Sequence, residues 1–514
     1  MRFNRYVKML HFDADKTEYF ANNSKEIKEH IEKVENGLLP AIRIKSPESK
    51  RYNIYERMNH YRIPGVSIAL INNGKIEWAK GYGVKENGTD DPITVTTLFQ
   101  AASISKPIVA AAVLHFAEKD MLDLESPVNS QLRSWKIPDN EITQEKAVNA
   151  KMLLTHSGGV TGFGFEGYKI RDKLPTLLQI LDGLEPANSP PIRIVHEPGS
   201  RWLYSNGGYL ILQQLMMDVT NSSFQESMNE IILEPLDMSN STFSQPLQSR
   251  YEVIAATGHK SDGTTVEGRW RIYPEMAAGG LWTTPMDLSK FIIELQKSLE
   301  GNSNKVLSKS MIENMLSRHF GDMGLGFILR GNDEDLGFTF NGGNEGYRCD
   351  MYAYAFRDKG AVIMTNSDNG QFVIDEIYRS ISAEYGWPDH KQQVKEMARI
   401  DKEIYDKYIG IYHSKQEIRP DFYIKIEQVN SILYASFMGG KYDLIPESEQ
   451  KFFIADHGWE IEFLKDETGK VESIRYFIMV GPGTAQRTSS IIQAKNIWLI
   501  PVLVVIFGMP YTLL

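Results

Sequence analysis

The chain has 514 residues, long enough for two folded domains with extensions, because single cores stop growing at about 250–300 residues. Its 56 Lys and Arg against 66 Asp and Glu leave a formal net charge of -10, and no long basic run occurs, which argues against nucleic acid or an anionic surface as partner. The single cysteine, Cys349, has no companion for a disulfide or a metal site, so the fold does not depend on oxidation and the thiol reads as a small buried apolar group.

The amino terminus turns acidic after Leu10 without the apolar core of a secretory signal, so export by that route is not expected. The location reads as cytoplasmic, or membrane-tethered through the far end. Residues 1–50 are polar, with a helix-like stretch near 27–34, and form a helical or flexible extension. From Gly65 the run GVSIALINNGKIEWAKGYGV predicts two apolar strands joined at Asn72-Asn73-Gly74, a hairpin signal.

Ser103-Ile104-Ser105-Lys106 places a hydroxyl and an amine three residues apart, just ahead of the apolar run 108–114. On a helix, positions i and i+3 share a face, so the Lys106 amine would lie beside the Ser103 oxygen and help remove its proton. Pro107 is tolerated in a first helical turn, where its missing N–H would be unpaired anyway. The helix is therefore expected to begin at or just before Ser103 and to be buried on every side, with the nucleophile on rigid scaffold.

Further along, His156 beside Ser157 lacks a G-x-S-x-G elbow and reads as a structural hydrogen-bonding residue. Residues 162–167 match G-x-G-x-x-G, yet they follow a Gly-rich loop and do not link a strand to a helix, so they suit the wall of a cleft better than a dinucleotide site. Tyr204-Ser205-Asn206 supplies a phenol and an amide. A phenol of reference pKa about 10 can serve as a base if a cation such as Lys106 favours the phenolate, and Asn206 could contact substrate while its carbonyl holds Lys106. No metal-ligand spacing occurs, and no cofactor is expected.

Strands are predicted at 352–356 and 361–365 and a helix over about 372–384. Strands first, helices in the middle, then strands and a helix imply an α+β domain over 51–390, whose antiparallel sheet joins the two ends beside a helical region. A charged helical linker follows. From Tyr405-Asp406-Lys407-Tyr408-Ile409-Gly410-Ile411-Tyr412 to about residue 485 the alternation of Phe422, Ile424, Ile426 and of Ile474, Tyr476, Ile478 predicts a small antiparallel β-barrel. Residues 497–514 carry no charge and just reach the length of a membrane span, but Pro501, Gly508 and Pro510 weaken a helix there. This tail, 496–514, reads either as a membrane anchor or as a segment that docks on the protein.

The S-x-x-K, S-D-N and K-T-G set marks penicillin-binding proteins and class A β-lactamases. Over roughly 50–390 the chain resembles the class C β-lactamase-like serine hydrolases, a family of esterases, D-aminopeptidases and β-lactamase relatives. The resemblance rests on an ordered series: residues 99–106, Leu153-Leu154-Thr155-His156-Ser157-Gly158-Gly159, Pro198-Gly199 before Tyr204-Ser205-Asn206, Glu234-Pro235-Leu236-Asp237-Met238, and Ala278-Gly279-Gly280-Leu281. It implies a β-lactamase/transpeptidase-like fold, Ser103 as acylated nucleophile, Lys106 and Tyr204 as the proton-transfer pair, Asn206 on substrate, and an oxyanion hole from the N–H groups of Ser103 and Gly343. The third family motif falls on Phe340-Asn341-Gly342, with Phe340 where a cation is usual. Losing that cation removes a charge-assisted bond to substrate carboxylates. Either Arg348 replaces it from a nearby turn or the site prefers neutral esters or amides. The barrel resembles the lipocalin-like domain of family members that act on D-amino-acid peptides. The expected activity is that of a serine hydrolase on small ester, amide or peptide substrates, with weak β-lactamase activity allowed and homo-oligomers compatible. The alternative is a penicillin-recognising or scaffold protein with little turnover.

Overall fold

The computed structural model describes residues 17–21, 24–45, 50–415, 421–478 and 481–488. One antiparallel sheet is built from both ends of the first region. Glu18–Phe20 (β1), Gly65–Asn72 (β2) and Lys75–Gly83 (β3) come from its start, and Ile328–Arg330 (β4), Gly337–Asn344 (β5), Tyr347–Tyr354 (β6) and Gly360–Thr365 (β7) from its later half. The spatial order is β1-β3-β2-β7-β6-β5-β4, so β2 and β7 lie side by side, with Val66 opposite Thr365 and Ile71 opposite Gly360. The expected β2–β3 hairpin forms, and Asn73 and Gly74 take φ of 52° and 66°, the left-handed pair that a tight hairpin turn needs.

The longer helices are Lys25–Glu35 (α1), Ile54–Tyr61 (α2), Ser105–Glu118 (α3), Asn206–Thr220 (α4), Pro285–Leu299 (α5) and Gly370–Tyr385 (α6). On one face of the sheet α1, α2 and α6 close a core around Trp78, Tyr82, Ile363 and Tyr378. On the other, α3, α4 and α5 and the loops between them form the larger core, which includes Phe338, Phe340 and Met364 from the strands. With both faces covered, β2 is buried along nearly its whole length and reads as a continuous apolar run. The described residues before 51, expected as part of an arm, belong to this body: β1 extends the sheet on β3, and α1 packs on α6. Its apolar residues Ile27, Ile31 and Val34 recur at helical spacing and are buried together.

The charged linker is not helical. Gln393–Lys395 is extended and pairs in parallel with Ile42–Ile44, and only Lys402–Lys407 forms a short 3₁₀ turn. Tertiary pairing overrides helix propensity here, because residues 42–44 present a free strand edge and Lys395 is held by Glu447 at 3.1 Å.

Residues 410–488 form a closed antiparallel barrel of eight strands: Gly410–Ser414 (β8), Phe422–Val429 (β9), Ile432–Phe437 (β10), Gly440–Pro446 (β11), Lys451–Ile454 (β12), Trp459–Lys465 (β13), Val471–Ile478 (β14) and Gly481–Thr488 (β15). β15 returns to β8, with Ile411 opposite Thr488, which leaves no open edge. Ile424, Ile426, Ile474, Tyr476 and Ile478 point inward as the alternation predicts, and the interior is filled by Tyr408, Tyr412, Phe452 and Phe463. The barrel is seated by a buried ion network. Arg57 of α2 binds Glu376 of α6 at 2.8 Å through Nε and reaches Asp456 of the barrel at 2.9 Å. Among the described residues no helix is long and apolar enough to cross a membrane, and the tail 496–514 lies outside them.

Candidate active site

The Ser103 turn is locally strained. Ala102 has φ 48°, a left-handed value costly for a residue with a Cβ, and Ala102–Ile104 forms a 3₁₀ turn that runs into α3 at Ser105. The helix therefore begins two residues later than a helical Ser103 would require, while Pro107 still falls in its first turn. The turn is locked from the side: Ser105 Oγ donates to Ala102 O at 2.6 Å and accepts from Leu281 N–H at 3.0 Å. Every residue from 105 to 114 is buried. The Ser103 side chain thus rests on a helix with no solvent face.

Lys106 is fully buried. Its Nζ lies 2.9 Å from Ser103 Oγ and donates to the Ala278 carbonyl at 2.7 Å. Neither partner is charged, and burial pushes this amine well below the usual lysine range. On the other side, Ser103 Oγ and the Tyr204 hydroxyl are 2.7 Å apart. Burial raises the Tyr204 phenol, and the bond to Ser103 only partly opposes that. A phenolate held by a lysine cation was the expectation. The structure instead keeps both groups out of water, which disfavours charge on each: the amine is pushed down and the phenol up.

Tyr204 is aimed by its neighbours. His156, itself at φ 57°, packs its ring 4.5 Å from the Tyr204 ring, and its Nδ1 accepts from the Ser205 N–H at 3.2 Å. Burial holds this imidazole neutral, and it does not approach Ser103, in keeping with a structural histidine. Ser205 caps α4 by accepting from Gly208 N–H at 2.9 Å. The glycine-rich segment is tied to the same helix start: the Gly162 carbonyl accepts from Asn206 N–H at 2.7 Å, and Phe163 O accepts from Asn206 Nδ2 at 2.9 Å. Asn206 was expected to hold Lys106 through its carbonyl. It does not, because the amide is turned by Phe163 and Ala278 takes the lysine; Asn206 Oδ1 is left buried without a partner.

β5 runs past the turn so closely that a Cβ on Gly342 would lie 2.1 Å from the Ala101 carbonyl and 3.1 Å from Ser103 N. Only glycine fits there. Asn344 and Tyr347 close the β5–β6 hairpin, and ladder alternation makes the preceding pair, Gly343 and Arg348, the kind whose N–H groups point away from each other. The Gly343 N–H then faces the edge of the sheet, and Gly343 lines the same pocket as Ser103. Phe340 is not at that pocket; it is buried in the larger core. Arg348 does not replace the missing cation either. Its guanidinium pairs with Asp368 at 3.0 Å and donates to Asn344 O at 2.7 Å, and the buried residue lies behind the strand. Two of the proposed substrate contacts, Phe340 and Arg348, are thereby withdrawn from the pocket, and Gly342 acts as packing under the turn.

The pocket beside Ser103 is lined by Ser103, Phe165, Asn206, Tyr273, Glu275 and Gly343, among others. Sequence reasoning missed Glu275 and Tyr273. The available signal was a lone acid between Pro274 and the apolar Met276-Ala277-Ala278, immediately before the Ala278-Gly279-Gly280-Leu281 landmark. Among the described residues no group of His, Cys, Asp and Glu could hold a metal ion, and Cys349 is buried with its Sγ on the Gln100 carbonyl.

A model of the Beta-lactamase family matches residues 51–384. Protein flp of Staphylococcus aureus strain MW2 is 28% identical over 225 residues, 43% of this chain and 42% of flp, so the chain spans less than half the length of that relative. Penicillin-binding protein 4* of Bacillus subtilis strain 168 is 23% identical over 434 residues, covering 80% of this chain and 92% of that protein. Among solved structures, the octameric penicillin-binding protein homologue from Pyrococcus abyssi superposes with a TM-score of 0.57 at 22% identity over 84% of this chain and 98% of its own. D-amino acid amidase from Ochrobactrum anthropi SV3 does so at 0.53 and 21% identity over 65% and 97%.

Proposed function

Since the chain belongs to the Beta-lactamase family, we propose that it is a serine hydrolase that acylates Ser103 and acts on esters or amides, D-amino-acid amides and peptides among them. The observation that carries this reading is the buried chain Lys106 Nζ, Ser103 Oγ, Tyr204 Oη, with spacings of 2.9 and 2.7 Å and an amine that burial pushes well below the usual lysine range. In this mechanism the neutral Lys106 amine takes the Ser103 proton as Oγ bonds to the carbonyl carbon. The negative charge that develops on the carbonyl oxygen is met by the N–H groups of Ser103 and Gly343. Tyr204 and the Lys106 ammonium return a proton to the leaving group, and water then releases the acyl group by the reverse path. Charge on Lys106 is costly in its buried site, which drives the proton onward to the leaving group.

The absence of a cation at Phe340 and the pairing of Arg348 with Asp368 weigh against carboxylate-bearing β-lactams as favoured substrates. They also motivate the second reading, a penicillin-recognising protein with little turnover. The test offers a p-nitrophenyl ester, a D-alanyl p-nitroanilide and a chromogenic cephalosporin to the native protein and to Ser103→Ala, with intact-mass detection of an acyl adduct. Ser103-dependent turnover of the ester and anilide, faster than of the cephalosporin, is expected. A Ser103 adduct that forms and persists without turnover supports the second reading, and no Ser103-dependent product or adduct sinks both. The P. abyssi homologue is octameric by its description, and a homo-oligomeric assembly of this chain belongs to the proposal.

A further inference from the structure

Glu275 has no role in the acylation steps, yet it lines the Ser103 pocket. It is 1% exposed, and neither of its carboxyl oxygens has a hydrogen-bond partner among the described residues. Asn206 Oδ1, on the same pocket, is also buried and unpartnered, and the bond from Asn206 Nδ2 to Phe163 O settles which end of the amide is left over. Two residues that line the pocket, Glu275 and Asn206, therefore carry buried side-chain oxygens with no side-chain donor among the described residues. Leaving such groups unpaired is costly, and natural folds retain the arrangement where a ligand completes it.

In its carboxylate form Glu275 only accepts, as Asn206 Oδ1 does, and the complement of such a pair is a group with several donors and no acceptor. An ammonium has three N–H donors and a positive charge. Among the described residues no Lys, Arg or His lines the pocket: Arg271 is held through Nε by Glu345, with its Nη1 buried and unpartnered, and Arg348 pairs with Asp368. Phe165 and Tyr273 line the same space and offer aromatic surface compatible with a cation. We infer that Glu275, assisted by Asn206 Oδ1, binds a free amine on the acyl half of the substrate, so that the site selects α-amino-acyl esters and amides with an unblocked amino group. This rests on the reading of Ser103 as nucleophile. In such a substrate the amine is on the carbon next to the scissile carbonyl, and Ser103 and Glu275 line the same pocket, as a compact aminoacyl group requires.

Burial pushes the Glu275 carboxyl up to about 8, so at neutral pH the empty pocket holds mostly the neutral acid. An arriving ammonium favours the carboxylate, the displaced proton goes to solvent, and binding is accompanied by proton release.

The test measures binding of D-alaninamide and of N-acetyl-D-alaninamide by calorimetry at pH 7 to the Ser103→Ala protein, in two buffers of different ionisation enthalpy. D-alaninamide should bind at least tenfold more tightly, with proton release that the N-acetyl compound does not cause. Glu275→Gln in the same background should shrink the affinity ratio at least tenfold, and its melting transition checks the fold. Equal affinities, no binding of D-alaninamide, no proton release, or a ratio that Glu275→Gln leaves in place would each overturn the inference. Turnover of p-nitrophenyl acetate by the protein with Ser103 intact reports the nucleophile separately. If it is present without amine selectivity, only the amine site fails; if it is absent while selectivity holds, only the nucleophile reading fails.

Discussion

The surroundings of Ser103 and the interior of the C-terminal barrel both carry buried aromatic side chains, but they treat polar groups in opposite ways. In the barrel, buried hydroxyls are paired internally: Tyr412 donates to Tyr408 O at 2.8 Å, and Ser414 and Tyr476 share a hydrogen at 2.6 Å. Among the described residues, none of the buried side-chain nitrogens and oxygens left without a partner falls within 410–488. Around Ser103 the reverse holds. A lysine is buried without an anion, a carboxyl without a donor, and Ala102 sits at a left-handed φ. A fold can carry such costs only where its other packing is secure, and here α3 and the surrounding core supply it. The contrast separates a region built for stability from one built for chemistry without reference to any motif.

Replacing Lys106 by Met breaks the contrast most sharply. Activity and stability should move in opposite directions: kcat/KM for a neutral ester falls by about 10²–10⁴, while the melting temperature holds or rises because an apolar chain of similar length fills the site without a buried amine. A matching fall in both would mean that the lysine is a structural member like the barrel tyrosines.

Glu275→Gln sharpens the comparison through pH. Because the folded protein holds this carboxyl above its ordinary value, its contribution favours the fold below about pH 4.5 and is lost as pH rises through about 8. Denaturant melts between pH 5 and 9 should therefore show native stability declining relative to the Gln variant, by a few kcal/mol, since each pKa unit carries about 1.4 kcal/mol. Parallel stability curves for the two proteins would place the carboxyl in contact with water or a cation.

The smallest effect is expected in the barrel. Tyr412→Phe removes one internal hydrogen bond to Tyr408 O and should cost about 1 kcal/mol, read from the urea midpoint, with kcat/KM unchanged. A change in activity there would couple the barrel to the pocket, through the Arg57, Glu376 and Asp456 network that seats it.

Local sequence was enough for whatever depends on residues close together in the chain. The β2–β3 turn follows from Asn73 and Gly74, the alternation of the barrel strands from period two, and the proximity of Ser103 and Lys106 from their three-residue spacing. The ordered motifs extended this to the fold and to Tyr204, which packing brings to 2.7 Å from Ser103. Tertiary structure decided the rest, because protonation and partner choice depend on what is absent from a site as much as on what is present. Burial pushes the Lys106 amine well below the usual lysine range, Asp368 takes Arg348 out of the pocket, and the 42–44 strand edge straightens the linker at 393–395. Glu275 shows the difference most clearly. In the chain it is one acid among many, and only the fold buries it without a side-chain donor, among the described residues, on the pocket that Ser103 lines.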